Sequence, residues 1–467
     1  MISPAFRNGR LLWIILAYGL FVVGWNIGYS SAFHDEAISI FMGREVLSGQ
    51  DCPLCPQTTG SVLIHPVLAA IGDEIGGLSG ARAVGTLFGL GLAWIIYTTA
   101  RIMFSEKHAL LSAIIFLFTG TAIYLSKLAT YDIIAAFFLG LSFLLILLSE
   151  KRQSALWLLA GAVVLFIASI TKYTVAVFIP PFIIYVFWRH KTFKALMFFF
   201  LLSIFVTAYG YLAILPAWGY ISGSAIGMYK EGRLPMDVIG QRALQWLALP
   251  YLLSVFGMFH KEWGKTAILL FVLSTPVILL HLLSGDARSI NKNVIFSIVF
   301  LTPACALGVD RMGSLFSSNS PTDWTKPFFT VAVLAVIWTF GLHQLRWLEK
   351  QFPDMTPVIN FFKEKGFNGM TVVIDSIYGE PEYIYRYYLE KTYPKARFLS
   401  MSHIDRKEQE ELLEKVNPDF LMADEYYGSK FFREAAKRQL EKGYSLMSDF
   451  KIPLSWGQQE VQIFERR

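Results

Sequence analysis

Residues 11–41 read "LLWIILAYGLFVVGWNIGYSSAFHDEAISIF". From Leu11 to Tyr29 there is no charged side chain, and the run is long enough to cross a bilayer as a helix. No small-residue cleavage site follows it, so it reads as a first transmembrane helix rather than a removed leader. Directly after it stand His34, Asp35 and Glu36. Charge at a membrane border is costly unless it faces water or a partner, which makes this acidic pair a candidate for function.

The rest of the chain agrees with a membrane setting. Of 467 residues, 54% are hydrophobic and only 16% charged, and the mean hydropathy is +0.48. That balance excludes an ordinary soluble domain. The net charge of +6 does not point to nucleic acid, because the basic residues fall in short clusters between apolar runs. About eleven spans are expected, near 11–29, 83–103, 108–125, 131–149, 154–171, 173–188, 194–216, 244–259, 266–284, 293–309 and 326–344. Lys172 interrupts the stretch 154–188, leaving one broken span or two.

Alternate loops are basic: Arg7 and Arg10, Arg101 and Lys107, Lys151 and Arg152, Arg189 to Lys194, Lys261 and Lys265. The positive-inside rule makes these loops cytoplasmic, with the N-terminus inside and the C-terminal segment outside. Three outer segments are then long. Residues 30–82 include a helical periodicity at 35–48, expected as an amphipathic helix at the interface. Residues 217–243 form a second loop. From about 345 to 467 strand-like and helical stretches alternate, as in a small α/β domain. The expected fold is therefore a polytopic α-helical membrane domain (1–344) followed by a small extracytoplasmic α/β domain (345–467).

This topology gathers ionisable residues on one side. Asp35, Glu36, His65 and Arg82 lie in the first outer loop, Asp132 at the outer end of the fourth span, and Lys172 between the fifth and sixth. Arg288 and Lys292 lie between the ninth and tenth. A carboxylate beside a wet cavity can act as a general base or bind a metal. Lysine and arginine at the border suit a phosphate whose lipid tail stays in the bilayer. Together they describe sugar transfer from a lipid phosphate to a deprotonated hydroxyl. Plainer roles stand beside these: Asp35, Glu36 and Asp132 as helix N-terminal residues, Lys172 snorkelling to the interface, Arg288 and Lys292 as loop charges, His65 shaping the turn before Pro66, and His34 as a neighbour.

"HDEAISIFMGREVLSGQ" (34–50) resembles the first-loop motif of GT-C-type glycosyltransferases of the protein-mannosyltransferase and aminoarabinose-transferase superfamily. "HPVLAAIGDEIGGLSGARAVGTLFG" (65–89) is similar to the next element, a His-Pro opening a helix and an Ala-Arg starting the second span. "KLATYDIIAAFFLGLSFLL" (127–145) resembles the segment with a second acidic residue, here Asp132. "ASITKYTVAVFIPPFI" (168–183) is similar to the "LTKGP" stretch, with Tyr173 and Thr174 in place of Gly and Pro. "RSINKNVIFSIVFLTPACAL" (288–307) resembles the late "RYLLPLLPPLAL" segment.

The resemblance implies an inverting transferase fed by a polyprenyl-phosphate-linked sugar, with a glycan, lipid or protein as acceptor. Asp35 would be the base, Glu36 would assist it or hold a divalent metal, Lys172, Arg288 and Lys292 would hold the lipid phosphate, and Arg82 would orient the loop or contact that phosphate. It implies a multi-pass protein of the plasma (inner) membrane; the metal requirement and the role of the last domain stay open. The competing class is a transporter or lipid flippase. Transporters place charge mid-bilayer and often show repeated halves, whereas this sequence shows border charges and no repeat; a membrane scaffold needs neither charge set. Cys52 and Cys55 in "DCPLC" suit a local disulfide in an oxidising compartment, with a redox pair as the alternative. Asp375, Asp424 and Glu425 end strand-like runs, where α/β domains often place ligands, but no Gly-rich loop accompanies them.

Overall fold

The computed structural model describes residues 4–50, 52, 64–216, 233–287, 289–316, 324–366, 368–374, 381–401, 406–425 and 443–467. The chain divides into two compact units, Met1–Ile27 with Glu45–Leu345, and Gly28–Arg44 with Arg346–Arg467.

The first unit is helical. It contains α1 (Pro4–Gly24), followed, after α2 (His34–Ser48), by α3 (His65–Met103), α4 (Glu106–Phe118), α5 (Gly120–Ser126), α6 (Tyr131–Arg152), α7 (Ala155–Thr171), α8 (Ile179–Arg189) and α9 (Thr192–Tyr209). Then come α10 (Met236–Met258), α11 (Gly264–Leu273), α12 (Pro276–Ser284), α13 (Ile290–Phe316) and α14 (Thr325–Glu349). The apolar runs read from the sequence fall on these helical segments. Six of them are long and apolar enough to cross a membrane, or seven if the bent pair α4–α5 is one span. Among the described residues, length and hydropathy do not confirm the expected eleven. Several runs form shorter apolar helices, such as Ala155–Thr171 and Tyr173–Arg189, split at Lys172. α11 and α12 pass only as one span, Gly264–Ser284.

Local chemistry explains the breaks. Pro66 and Pro276 sit in the first turns of α3 and α12, where a missing N–H costs nothing. α3 is interrupted at Gly76 and Gly77, the latter at φ 59°, ψ −153°, a conformation essentially reserved for glycine. The turn brings Gly80 against the Gly72 carbonyl, where an added Cβ would lie 2.1 Å away. Pro250 lies inside α10 and cannot donate to the carbonyl one turn back. That carbonyl, of Trp246, instead accepts a hydrogen bond from Gln344 Nε2 at 3.2 Å. α10 and α13 approach backbone to backbone: a Cβ on Gly308 would lie 1.8 Å from the Leu253 carbonyl oxygen, and one on Gly257 2.4 Å from that of Ala304.

The second unit carries α15 (Thr356–Lys365), β1 (Thr371–Ile374), α16 (Glu382–Leu389), β2 (Arg397–Ser400), α17 (Arg406–Val416), β3 (Phe420–Asp424), β4 (Tyr444–Leu454) and β5 (Gly457–Arg466). The sheet order is β2-β1-β3-β5-β4. The first three strands are parallel, and β5 is antiparallel to β3 and to β4. Val372, Val373, Ile374, Leu421 and Met422 are fully buried, as expected for parallel strands covered on both faces.

α2 is part of this unit as far as Arg44. The helix expected at 35–48 is present, but its apolar face meets protein rather than a lipid interface. Ile40, Phe41 and Met42 are buried; the Phe41 ring lies edge-on to Tyr383 at 5.4 Å, with the Arg386 guanidinium 4.7 Å from its centroid. Before the helix, Phe33 stacks on Phe352 at 4.3 Å, the Ser31 N–H donates to Asp354 Oδ1, and the Ala32 N–H donates to the Tyr388 hydroxyl. An apolar stripe at helical spacing does not by itself say whether lipid or protein will cover it.

The close approach of α10 and α13 is testable. Gly308→Val should lower the thermal midpoint in detergent by several degrees, because overpacking costs about 1–3 kcal/mol or more against backbone. Gly240→Ala, with nothing within 4 Å of an added Cβ, should leave it unchanged.

Candidate functional site

The first unit builds a polar centre from residues distant in sequence. Thr130 is extended (φ −130°, ψ 160°) before α6 begins, which puts Asp132 in that helix's first turn, where negative charge is favoured. α7 ends at Lys172, itself extended (φ −148°, ψ 117°) before a 3-10 turn over Tyr173–Phe178. The Lys172 Nζ donates to Asp132 Oδ1, and the two side chains are 7% and 2% exposed. The ammonium also lies 5.3 Å from the Tyr131 ring centroid and 5.7 Å from that of Phe296. Lys292, buried in the first turn of α13, adds its positive charge to the field at Asp132. His65 is buried, its ring edge-on to Tyr131 at 5.9 Å.

Thus Asp132, Lys172, Lys292 and, through Tyr131, His65 come together. Ion pairs this deep lose most of their hydration, so the geometry has to compensate. Two ammonium groups bearing on one carboxylate, lined by aromatic faces, suit an anion better than a neutral ligand.

Nearby, His281 Nδ1 is 2.6 Å from the Asp286 carbonyl, which fixes the ring proton on Nδ1 and leaves Nε2 to accept from Asn293 Nδ2 at 2.9 Å. Lys172 acts electrostatically on His281 as well. Tyr131, Phe296, His281 and Asn293 were not singled out by the sequence. Tyr131 adjoins Asp132, and His281 and Asn293 flank the 288–292 segment, which were usable signals. Phe296 is one of 39 phenylalanines and carried none.

Arg82 is fully buried, and its Nη1 donates to the Ile27 carbonyl at 2.8 Å. That contact ties the end of the first membrane segment to the start of the helix after Gly77. Arg288 lies outside the described residues.

Asp35 and Glu36 lie in the second unit, in the first turn of α2. The Phe33 carbonyl accepts from the Glu36 and Ala37 N–H groups, making Phe33 the N-cap, and Glu36 Oε2 accepts the Phe33 N–H at 3.3 Å. Glu36, with no exposed surface, therefore plays the returning half of a capping box. Asp35 differs: its side chain is 27% exposed, and Oδ1 is 2.8 Å from His34 Nε2. A carboxylate reachable by solvent and paired with an imidazole can hold or pass a proton. Among the described residues, three potential metal ligands converge only elsewhere, at His108, His260 and Asp310.

The strand-end acids are structural where described. Asp424 is buried and accepts from Gln459 Nε2; Glu425 Oε2 accepts the Glu460 N–H at 3.1 Å. Asp375 lies outside the described residues. Cys52 is disulfide-bonded and Cys305 is free and buried; Cys55 lies outside the described residues.

Comparison with known proteins shows which fold the chain shares. Residues 63–220 match the family model for dolichyl-phosphate-mannose-protein mannosyltransferase, a segment that holds His65, Arg82, Asp132 and Lys172. No curated protein sequence matches the chain significantly. Among solved structures, ArnT from Cupriavidus metallidurans bound to undecaprenyl phosphate superposes with a TM-score of 0.60 at 13% identity, covering 96% of this chain and 97% of that one. Its apo form gives 0.61 at 11% identity with the same coverage. The oligosaccharyltransferase AglB from Archaeoglobus fulgidus, in complex with an inhibitory peptide and a dolichol-phosphate, gives 0.55 at 10% identity, covering 91% of this chain and 70% of that one. The chain has the GT-C fold, and the superfamily resemblance read from its motifs is supported by both the family model and the structures.

The buried pair can be tested without a substrate. Asp132→Asn should destabilise the protein by about 3–5 kcal/mol, because it strands a buried ammonium without its carboxylate. Asp132→Asn combined with Lys172→Met should recover part of that loss. A double variant no more stable than the single one, in detergent melting curves, contradicts an energetic pair.

Proposed function

We propose that this protein is a membrane glycosyltransferase that moves a hexosyl or pentosyl group from polyprenyl phosphate to an acceptor hydroxyl. The observation that carries the reading is the buried Asp132–Lys172–Lys292 cluster, set in a GT-C fold. An apolar bundle has little reason to desolvate two ammonium groups unless an anion is to be held there. The relatives support the choice of anion, since ArnT was solved with undecaprenyl phosphate and AglB with a dolichol-phosphate.

In this reading Lys172, Lys292 and Arg288 hold the donor phosphate, with His65 and Arg82 fixing the surrounding segments. Asp35 takes the proton of the acceptor hydroxyl. The acceptor oxygen attacks the anomeric carbon as the carbon–oxygen bond to phosphate breaks, and polyprenyl phosphate leaves with its charge held by the ammonium groups. Asp132 holds the Lys172 side chain in place. Glu36 positions the first turn of α2, through the Phe33 amide, rather than moving a proton. The reaction face is extracytoplasmic and the membrane the plasma (inner) membrane, as the basic alternate loops argue. The acceptor is a glycan, lipid or protein hydroxyl.

Purified protein offered a panel of polyprenyl-phosphate sugars with a mixed acceptor pool should release polyprenyl phosphate. Asp35→Asn should slow turnover at least about 100-fold while donor binding persists. Full activity in that variant removes Asp35 from the base role. A wild type that turns over no donor but moves lipid across liposomes overturns the transferase reading.

A further inference from the structure

At the other end of α13 from Lys292, three helix ends converge on one carboxylate. Asp310 lies about 27 Å along the helix from Lys292, at 1.5 Å per residue. It faces His108, in the first turn of α4, and His260, in the turn between α10 and α11. Its two oxygens are used differently. Oδ1 accepts from Lys107 and lies 3.2 Å from the Lys326 Nζ. Oδ2 is turned to the imidazoles, 3.6 Å from His260 Nε2 and 3.8 Å from His108 Nε2. All three ligand atoms lie within 4.8 Å of one another.

His108 is set up as a ligand. It is 4% exposed, its Nδ1 is 2.8 Å from Ser105 Oγ, and its buried Nε2 has no hydrogen-bond partner. An unmet nitrogen lone pair in a buried site is costly, and an imidazole anchored through its other nitrogen is the usual posture of a metal ligand. His260 stacks on Trp263 at 4.8 Å, and His108 meets the same indole edge-on at 5.0 Å, so one side of the cluster is sheltered from water.

We propose that His108, His260 and Asp310 form a site for a zinc-class divalent cation that fastens α4, α13 and the α10–α11 turn together. Two nitrogens and one oxygen favour Zn²⁺, Co²⁺ or Ni²⁺ over Mg²⁺ or Ca²⁺. Lys107 and Lys326 hold Oδ1 so that Oδ2 faces the metal, and a fourth position is open to water. His260 must adjust: its Nδ1 accepts from the Glu262 and Trp263 amides at 3.3 and 3.4 Å. Binding at Nε2 moves the ring proton to Nδ1 and gives up both long contacts, altering the setting of Trp263. This site does not depend on the transferase reading.

The test uses tag-free, chelator-stripped full-length protein in detergent, loaded with Zn²⁺ and washed. Elemental analysis should find about one zinc per chain that is lost in His108→Gln with His260→Gln, and zinc should raise the thermal midpoint of the wild type but not of the double variant. Asp310→Asn should bind zinc about tenfold or more weakly. Co²⁺ should perturb the fluorescence of the wild type, and that signal should shrink in Trp263→Phe. Wild-type protein that retains no zinc overturns the proposal, whatever the variants do. So does zinc retained equally by wild type and the double variant, or a wild-type midpoint indifferent to zinc, which would leave a lysine–aspartate–histidine ion cluster and nothing more.

Discussion

The first unit is organised around a charge problem: a carboxylate and an ammonium that must share a dry interior. Asp132 and Lys172 are both nearly inaccessible, and neither could be buried alone at tolerable cost. Their meeting sets where helices stop. α7 ends in an extended residue at Lys172, and a 3-10 turn, not a continued α-helix, follows. α6 starts one residue before Asp132, so the N–H groups of its first turn, which have no partner within the helix, face the same region. Tyr131 then serves two neighbours, the Lys172 ammonium and the His65 edge.

The same helix that brings Lys292 to this centre ends at a second polar cluster around Asp310. Between them α13 is almost wholly buried, and glycines let it lie against α10 at backbone distance. On α13 the charged side chains thus stand toward its two ends, Lys292 at one and Asp310 with Arg311 at the other. In the second unit, Asp35 is positioned by a helix whose apolar face packs on aromatic residues of that unit, so its orientation follows from the packing within that unit.

Much of the fold could be read from the sequence because it rests on strong signals. Apolar runs located the helices, and the alternation of strands and helices after residue 345 anticipated β1 to β5 closely. The count of spans was less legible: the interruption at Lys172 could be read, but hydropathy does not report the bend at Thr119, where Gly120 packs against the Gly341 backbone. Asp132, Lys172 and Lys292 could be nominated because ionisable residues are rare in such segments. That Asp132 and Lys172 pair directly was invisible, as was the aromatic lining. For Glu36 the helix-capping alternative matches the geometry. His108, His260 and Asp310 passed unnoticed because each stands near a helix end among ordinary loop charges, and only the fold brings them together.

If the cluster around Asp132 exists to hold a lipid-linked phosphate, a structure of the full chain in lipid nanodiscs with a polyprenyl phosphate tests it most directly. Phosphate oxygens are then expected within about 3 Å of the Lys172 or Lys292 ammonium, with the isoprenoid tail leaving toward the bilayer and the Asp132–Lys172 contact preserved. An ordered lipid whose phosphate sits away from both lysines would contradict that role.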